Sequence, residues 1–127
     1  MKQNRILLLA SLALALTPAA LAGPPLICHA LDIGNAKSLP WSNDTWSLSG
    51  KTDYNLTYLV QDTLSLLTPA TPVIVRMETL RRATIYANKD PRIAKELLAK
   101  LQSRALDAER QGHADALASF DLGYLAE

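Results

Sequence analysis

Prolines divide the second half of this chain into segments whose apolar residues recur with the period of an α-helix. Pro69 and Pro72 lie close together, and Pro91 directly follows Asp90. Proline disfavours helical geometry in the residue before it but is well tolerated at the first position of a new helix. The first pair therefore predicts the end of one helix and the start of the next, with Thr71 as N-cap. Asp90 is the predicted N-cap of the helix after that.

Between these breaks, apolar residues recur at spacings of three and four, which places them along one face of each helix. Gly112 is the expected stop of the third helix, and a fourth helix begins near Ala114. Phe120 and Tyr124 form an i, i+4 pair on the fourth helix. A strand over 54–60 is the alternative for the start of the first segment. The residues predicted to be buried in mutual contact are Leu59, Leu64, Met77, Leu80, Leu97, Leu98 and Leu101.

Four helices joined by short loops predict an all-α fold, a small antiparallel helical array over residues 51–127. A truncated helical-repeat protein is the alternative, because the second and third helices have the length of one helix-turn-helix repeat.

The apolar stripe of the fourth helix continues to Glu127, and no Gly, Pro or basic last turn ends it. An acid at a helix C-terminus opposes the helix dipole, so we expect either a truncated domain or a frayed last turn.

Residues 23–50 are predicted to form an irregular leader segment ahead of the helices. Gly, Pro, Ser and Asn recur there, and neither a helical stripe nor a long alternation is present. Trp41 and Trp46 are the large side chains of this segment. Aromatic residues of this size bury much apolar area, so we expect the two Trp residues to dock onto the helices.

Residues 1–22 have the three-part organisation of a secretory signal. Lys2 and Arg5 precede an apolar run from position 6 to 16, and Ala20-Leu21-Ala22 matches the small-x-small pattern of a cleavage site. The apolar run is shorter than the ~20 residues that a membrane-spanning helix needs. We therefore expect export to the periplasm or the medium and no stable membrane anchor after cleavage.

Removal of the signal leaves 105 residues that carry 11 basic and 12 acidic side chains. This length suits one domain. A near-neutral chain without a basic cluster disfavours nucleic acid and anionic membranes as partners. The sequence contains no Gly-rich phosphate loop, no His-Glu-x-x-His and no Gly-x-Ser-x-Gly. No cofactor is therefore expected.

Cys28, His29 and Asp32 form the one reactive-looking cluster. A thiol beside an imidazole can be activated as a thiolate, and the three side chains could also ligate a metal ion. Neighbouring residues of an extended segment point to opposite sides, which favours an inert thiol. As the single cysteine, Cys28 cannot form an internal disulfide. His113, in the loop before the fourth helix, is expected to face solvent.

Arg76, Arg81 and Arg82 lie off the apolar line of the second helix. Three guanidinium groups could together hold a phosphate or a carboxylate. Asp and Glu are about as frequent nearby, so the favoured prediction is a solvated face with salt bridges.

Two parts of the chain resemble a group of uncharacterised exported bacterial proteins. The first part comprises residues 24–29, 32–34 and 38–41, which include Pro-Pro-Leu-Ile-Cys-His and Ser-Leu-Pro-Trp. The second part comprises residues 66–73 and 77–82. The group has no known activity, so the resemblance assigns no site residue and implies only a bacterial, extracytoplasmic setting. Leu122-Gly123-Tyr124 is also faintly similar to a tetratricopeptide first helix.

We therefore expect an exported, noncatalytic helical module that acts through contacts with a protein partner. The alternative is a thiol- or metal-dependent protein that uses Cys28, His29 and Asp32.

Signal cleavage should fall after Ala22 and leave Gly23 as the first residue of the exported protein, although Pro24 just past the cut can move the cut one or two residues earlier. N-terminal sequencing of exported material measures the position. Recovery of intact Met1 in exported protein would contradict the signal assignment.

Overall fold

A computed structural model describes residues 29–42 and 48–126, and over these ranges the fold is all-α. A 3-10 turn, Leu56–Tyr58, leads into the first helix. The α-helices are α1 Leu59–Leu66, α2 Val73–Ala87, α3 Pro91–Arg110 and α4 Ala116–Ala126. The predicted array of about four helices is confirmed, and the alternative of a strand over 54–60 is wrong.

The boundaries of α3 follow the local signals in the sequence. Asp90 is the N-cap, and its Oδ1 accepts a hydrogen bond from the backbone N–H of Arg92 at 2.9 Å. Pro91 takes the first helical position, where its missing N–H costs nothing. After the helix ends, Gly112 adopts φ 74°, a left-handed conformation in which glycine avoids the steric cost of a Cβ.

The start of α2 differs from the prediction at Thr71. Pro72 is the N-cap, and the helix begins at Val73. The hydroxyl of Thr71 instead donates to the carbonyl of Leu66 at 2.7 Å and accepts from the N–H of Thr68 at 3.1 Å. Thr71 therefore hydrogen-bonds to the end of α1 and to the loop between α1 and α2, because its side chain points back along the chain.

Neighbouring helices are antiparallel, as two groups of buried side chains show. The first group joins the start of α1 and of α3 to the end of α2, through Leu59, Ala83 and Leu97. The second group joins the end of α1 to the middle of α2 and of α3, through Leu67, Leu80 and Leu101. α4 packs against both α2 and α3.

α2 is the central helix, because it is covered on most of its circumference. Its buried residues are Val75, Arg76, Glu78, Thr79, Leu80, Arg81, Ala83, Ile85, Tyr86 and Ala87. A single apolar stripe cannot describe such a helix, since several of its polar side chains also lie inside the fold.

The predicted core is correct at its centre and wrong at its edge. Leu59, Leu80, Leu97 and Leu101 are buried, and Leu64 and Met77 are partly buried. Leu98 is 39% exposed, so its predicted burial is wrong. Leu98 lies at the margin of the α3 stripe, beside a cavity that the other helices leave open.

The described parts of the leader contain neither helix nor strand but pack against α2. Leu39 is buried, and the Trp41 ring packs on the same group of buried residues as Leu59. The predicted docking of Trp41 is thus confirmed, whereas Trp46 lies outside the described residues. We refer to residues 29–42 as the strap.

Replacement of the adjacent residues Leu97 and Leu98 by Ala should distinguish a core position from a surface position on α3. Leu97→Ala should lower the free energy of unfolding by about 2–5 kcal/mol, because Leu97 is fully buried. Leu98→Ala should cost less than about 1 kcal/mol. Urea unfolding of the two variants measures the difference, and equal losses would contradict the described packing of α3.

Candidate functional site

The cluster predicted from the sequence is only partly described. His29 and Asp32 are exposed, whereas Cys28 lies outside the described residues. The Oδ1 of Asp32 accepts from the N–H of Gly34 at 2.9 Å and so supports a turn. Over 29–42 and 48–126, no three His, Cys, Asp or Glu side chains are grouped to hold a metal ion. A thiol or metal site that involves Cys28 stays a prediction. His113 is exposed between α3 and α4, as expected.

A buried carboxylate on α2 organises two of the three predicted arginines. Arg81 donates to both oxygens of Glu78, from Nε at 2.7 Å and from Nη2 at 2.8 Å. Arg82 Nε donates to Glu78 Oε1 at 2.7 Å. The backbone N–H of Leu31, from the strap, donates to Oε2 at 3.0 Å. One carboxylate therefore holds two guanidinium groups and the strap together.

The two arginines also hold the strap directly. Arg82 Nη1 donates to the carbonyl of Leu39 at 2.7 Å. The guanidinium carbons of Arg81 and Arg82 lie 5.0 Å and 5.6 Å from the centre of the Trp41 ring. These distances allow cation–π attraction, which is stronger where water is excluded. Charge and aromatic packing thus fasten the same segment.

Tyr86 joins the strap to the residues that precede α1. Its hydroxyl donates to the carbonyl of Pro40 at 2.6 Å and accepts from the N–H of Lys51 at 2.8 Å. Gly50 lies against the Tyr86 ring with φ 67°, and a Cβ on this residue would lie 2.6 Å from a ring carbon. Glycine is required here for both its conformation and its lack of a side chain.

The third predicted arginine forms a separate buried ion pair between α2 and α4. Arg76 donates to Asp121 from Nε at 2.7 Å and from Nη2 at 2.9 Å. Its Nη1 donates to the carbonyl of Thr68 at 2.6 Å. Arg76 is 2% exposed and Asp121 is 1% exposed. This fork-like pair fixes α4 to α2, and the third bond of Arg76 ties the loop after α1 to the same side chain.

The prediction of a solvated arginine face is therefore wrong for Arg76 and Arg81, which are both buried. The alternative of an anion site is not supported either, because Glu78 and Asp121 accept the guanidinium donors of all three arginines. Because these charges are removed from water, only their internal partners compensate them. The role of the buried ion pairs is therefore structural.

Within the part of the chain that the structure describes, an apolar cavity lies between α2, α3 and the end of α4. It has a volume of about 310 Å³. It is lined by Thr84, Ala87, Asn88, Ala94, Lys95, Leu97, Leu98 and Leu125. Most of these side chains carry no charge, so the cavity suits an aliphatic or aromatic group rather than an ion.

Exposed residues of α3 continue this surface along the helix. Leu98 and Leu106 are each 39% exposed, and Gln102 lies between them at four-residue spacing. Lys95 and Glu109 are exposed at the two ends of the same line. We call these five residues, Lys95, Leu98, Gln102, Leu106 and Glu109, the α3 ridge. The cavity and the α3 ridge together form the candidate site.

Sequence patterns signalled only part of this arrangement. Leu106 falls outside the apolar stripe of α3, and that position could have indicated its exposure. Glu78 stands three and four residues before Arg81 and Arg82, a spacing that favours ion pairs but does not indicate burial. No local pattern pointed to Asp121, since its partner Arg76 is 45 positions away.

Comparisons with family models, with curated proteins and with solved structures give no match to this chain. The resemblance to exported bacterial proteins therefore stays a prediction. Among the helices of the described ranges, none combines the length and apolar character needed to cross a membrane.

Loss of the buried carboxylate should destabilise the fold in a pH-dependent way. Burial alone would raise the pKa of Glu78, but hydrogen bonds from Arg81, Leu31 and Arg82 hold this pKa below its ordinary value of 4.5. The stability that ionised Glu78 contributes is therefore present above about pH 4.5 and is lost as the pH falls through the lower, folded-state pKa.

Glu78→Gln should cost about 3–5 kcal/mol near neutral pH, because the two arginines lose their buried counter-charge. Its deficit relative to wild type should shrink in acid. Urea unfolding across this pH range is the measurement, and Glu96→Gln on the exposed side of α3 is the matched control. A deficit that does not change with pH would show that Glu78 is not the titrating group.

Proposed function

We propose that this chain is an exported, noncatalytic helical module that acts by binding a protein through the cavity and the α3 ridge. The arrangement of residues 1–22 supports export, since it has the charged start, apolar run and small-residue end of a signal. The setting is then periplasmic or extracellular, and a bacterial source is part of the same proposal.

The observation that carries the proposal is the exposure of two leucines on α3: Leu98, which lines an apolar cavity, and Leu106, eight residues further along the helix. Burial of a Leu side chain against a partner contributes on the order of 1.5–3 kcal/mol. The polar Gln102 lies between the two leucines, and the charged Lys95 and Glu109 lie beyond them at either end. An apolar centre with a polar rim is the usual anatomy of a protein interface.

The walls of the cavity are held in place without a partner. Thr84 and Ala87 belong to α2, the helix that Glu78 and Tyr86 fasten to the strap. Leu125 belongs to α4, the helix that Asp121 fastens to α2. A rigid, preformed surface loses little conformational entropy on binding, which favours recognition over catalysis by a mobile site.

The chemistry of the described residues also supports a binding role. The buried carboxylates and guanidinium groups of the described residues are engaged in ion pairs that hold helices and strap together. Catalysis would need a group that is free to exchange a proton or to attack a substrate. The thiol or metal alternative gains no specific support from the described residues.

A photo-reactive amino acid in place of Leu98 should form a discrete protein adduct when the exported protein is illuminated in the cells that produce it. The same group in place of Lys100 is the control, because a position two residues after Leu98 lies about 200° around the helix. Lys100 is also exposed. Mass spectrometry of the adducts is the measurement. No adduct at Leu98, or equal adducts at both positions, would contradict a binding role for this surface.

A further inference from the structure

The spacing of residues along the α3 ridge reads the same in both directions, and its two ends carry opposite charges. Its successive spacings are three, four, four and three residues, with Gln102 at the centre. Leu98 and Leu106 stand at equal distances on either side of Gln102. Lys95 and Glu109 stand at equal distances further out and carry opposite charges. A helix with this order is complementary to a copy of itself that runs in the opposite direction.

We propose that the partner of this surface is a second copy of the chain, docked with its α3 antiparallel to the first about a two-fold axis at Gln102. The inference rests on the proposed function and names the partner of the same site. A two-fold interface is isologous: each residue pair occurs twice, with the roles of the two copies exchanged.

The apolar contacts of this dimer follow from helix geometry. Leu98, Gln102 and Leu106 are spaced by four residues and therefore lie along one side of α3. In the antiparallel arrangement, Leu98 of each copy meets Leu106 of the other. The contact also lies at the mouth of the cavity, because Leu98 is part of its lining. The second copy therefore covers both halves of the candidate site.

The charges at the ends of the ridge match in the same register. Lys95 of each copy faces Glu109 of the other, which places two opposite-charge pairs in one dimer. Within 29–42 and 48–126, no ion pair occupies Lys95 or Glu109. Both therefore stay available for a contact between copies.

The two exposed arginines near the ends of α3 are already paired. Arg92 lies 3.0 Å from Asp90, and Arg110 lies 3.2 Å from Asp107. These pairs reduce repulsion between the arginines of one copy and those of the other.

The neighbouring helix leaves room for the second copy. The exposed positions of α4 within the described residues are Ala116, Ser119, Gly123 and Ala126. None of these four side chains is charged or long, so the fully exposed positions of α4 place no bulky group beside a docked helix. An interface confined to this region lies at the small end of the range, below about 1,200 Å², which predicts weak and reversible association.

Charge reversal at the ends of the ridge tests the register. Lys95→Glu alone and Glu109→Lys alone each place like charges opposite one another twice in the dimer. Each single variant should weaken dimerisation about tenfold, and the double variant should restore it. Neither change harms the monomer, because an acid near the start of α3 and a base near its end both suit the helix dipole.

Sedimentation of the exported protein over a wide concentration range measures the dimerisation. Lys100→Glu is the matched control: it changes the net charge as Lys95→Glu does, on the other side of the helix, and should leave the dimer unchanged. Wild type that stays monomeric at all concentrations would overturn the inference. A double variant as weak as the single ones would also overturn it, because the pairing of Lys95 with Glu109 would then be wrong.

A cysteine at the centre provides a second measurement. In a Cys28→Ser background, Gln102→Cys should form a disulfide-linked dimer under mild oxidation, because the two-fold axis brings this position next to its own copy. Lys100→Cys in the same background should not. Equal crosslinking at both positions would indicate random collision and overturn the inference.

The two proposals fail in different ways. An adduct of Leu98 with a different protein, together with a monomeric wild type, would overturn the dimer and leave the protein-binding function intact. An adduct of twice the monomer mass would support both. No adduct together with a monomeric wild type would overturn both.

Discussion

The structure depends on one buried carboxylate. Glu78 lies on the central helix and accepts hydrogen bonds from Arg81, from Arg82 and from the backbone of Leu31. The three donors come from two parts of the chain that no local interaction brings together. Without the carboxylate, two guanidinium groups would remain in a poorly hydrated environment beside Trp41, at a cost that a chain of this size could hardly offset.

This network explains why an irregular segment is part of the folded unit. The strap forms no helix or strand, so it has few backbone hydrogen bonds of its own, and side chains of α2 supply its partners. Glu78, Arg82 and Tyr86 each bond to its backbone, at Leu31, Leu39 and Pro40. The strap covers one side of α2, while the other three helices cover the rest. Among residues 29–42 and 48–126, nothing covers the outer edge of α3 at Leu98 and Leu106.

The distribution of polarity therefore departs from the simple expectation for a small helical array at several positions. Charged side chains such as Arg76 and Asp121 lie inside and fix the helices, whereas Leu98 and Leu106 lie at the surface. Internal ion pairs give directional contacts that position α4 against α2. Exposed leucines contribute free energy only when another surface covers them, which is the physical basis for a protein-binding role.

The sequence by itself determined the features that depend on near neighbours. Asp90 caps α3 and Gly112 follows its end, because both effects act within one helical turn. The all-α class and the centre of the core followed from apolar periodicity. Only the tertiary structure decided that Arg76 is buried and that Leu98 is exposed. Arg76 depends on Asp121, 45 positions away, and Leu98 lies beside a cavity lined by residues of three helices. Periodicity shows which face of a helix is apolar, but the extent of its burial is set by the elements that pack against it.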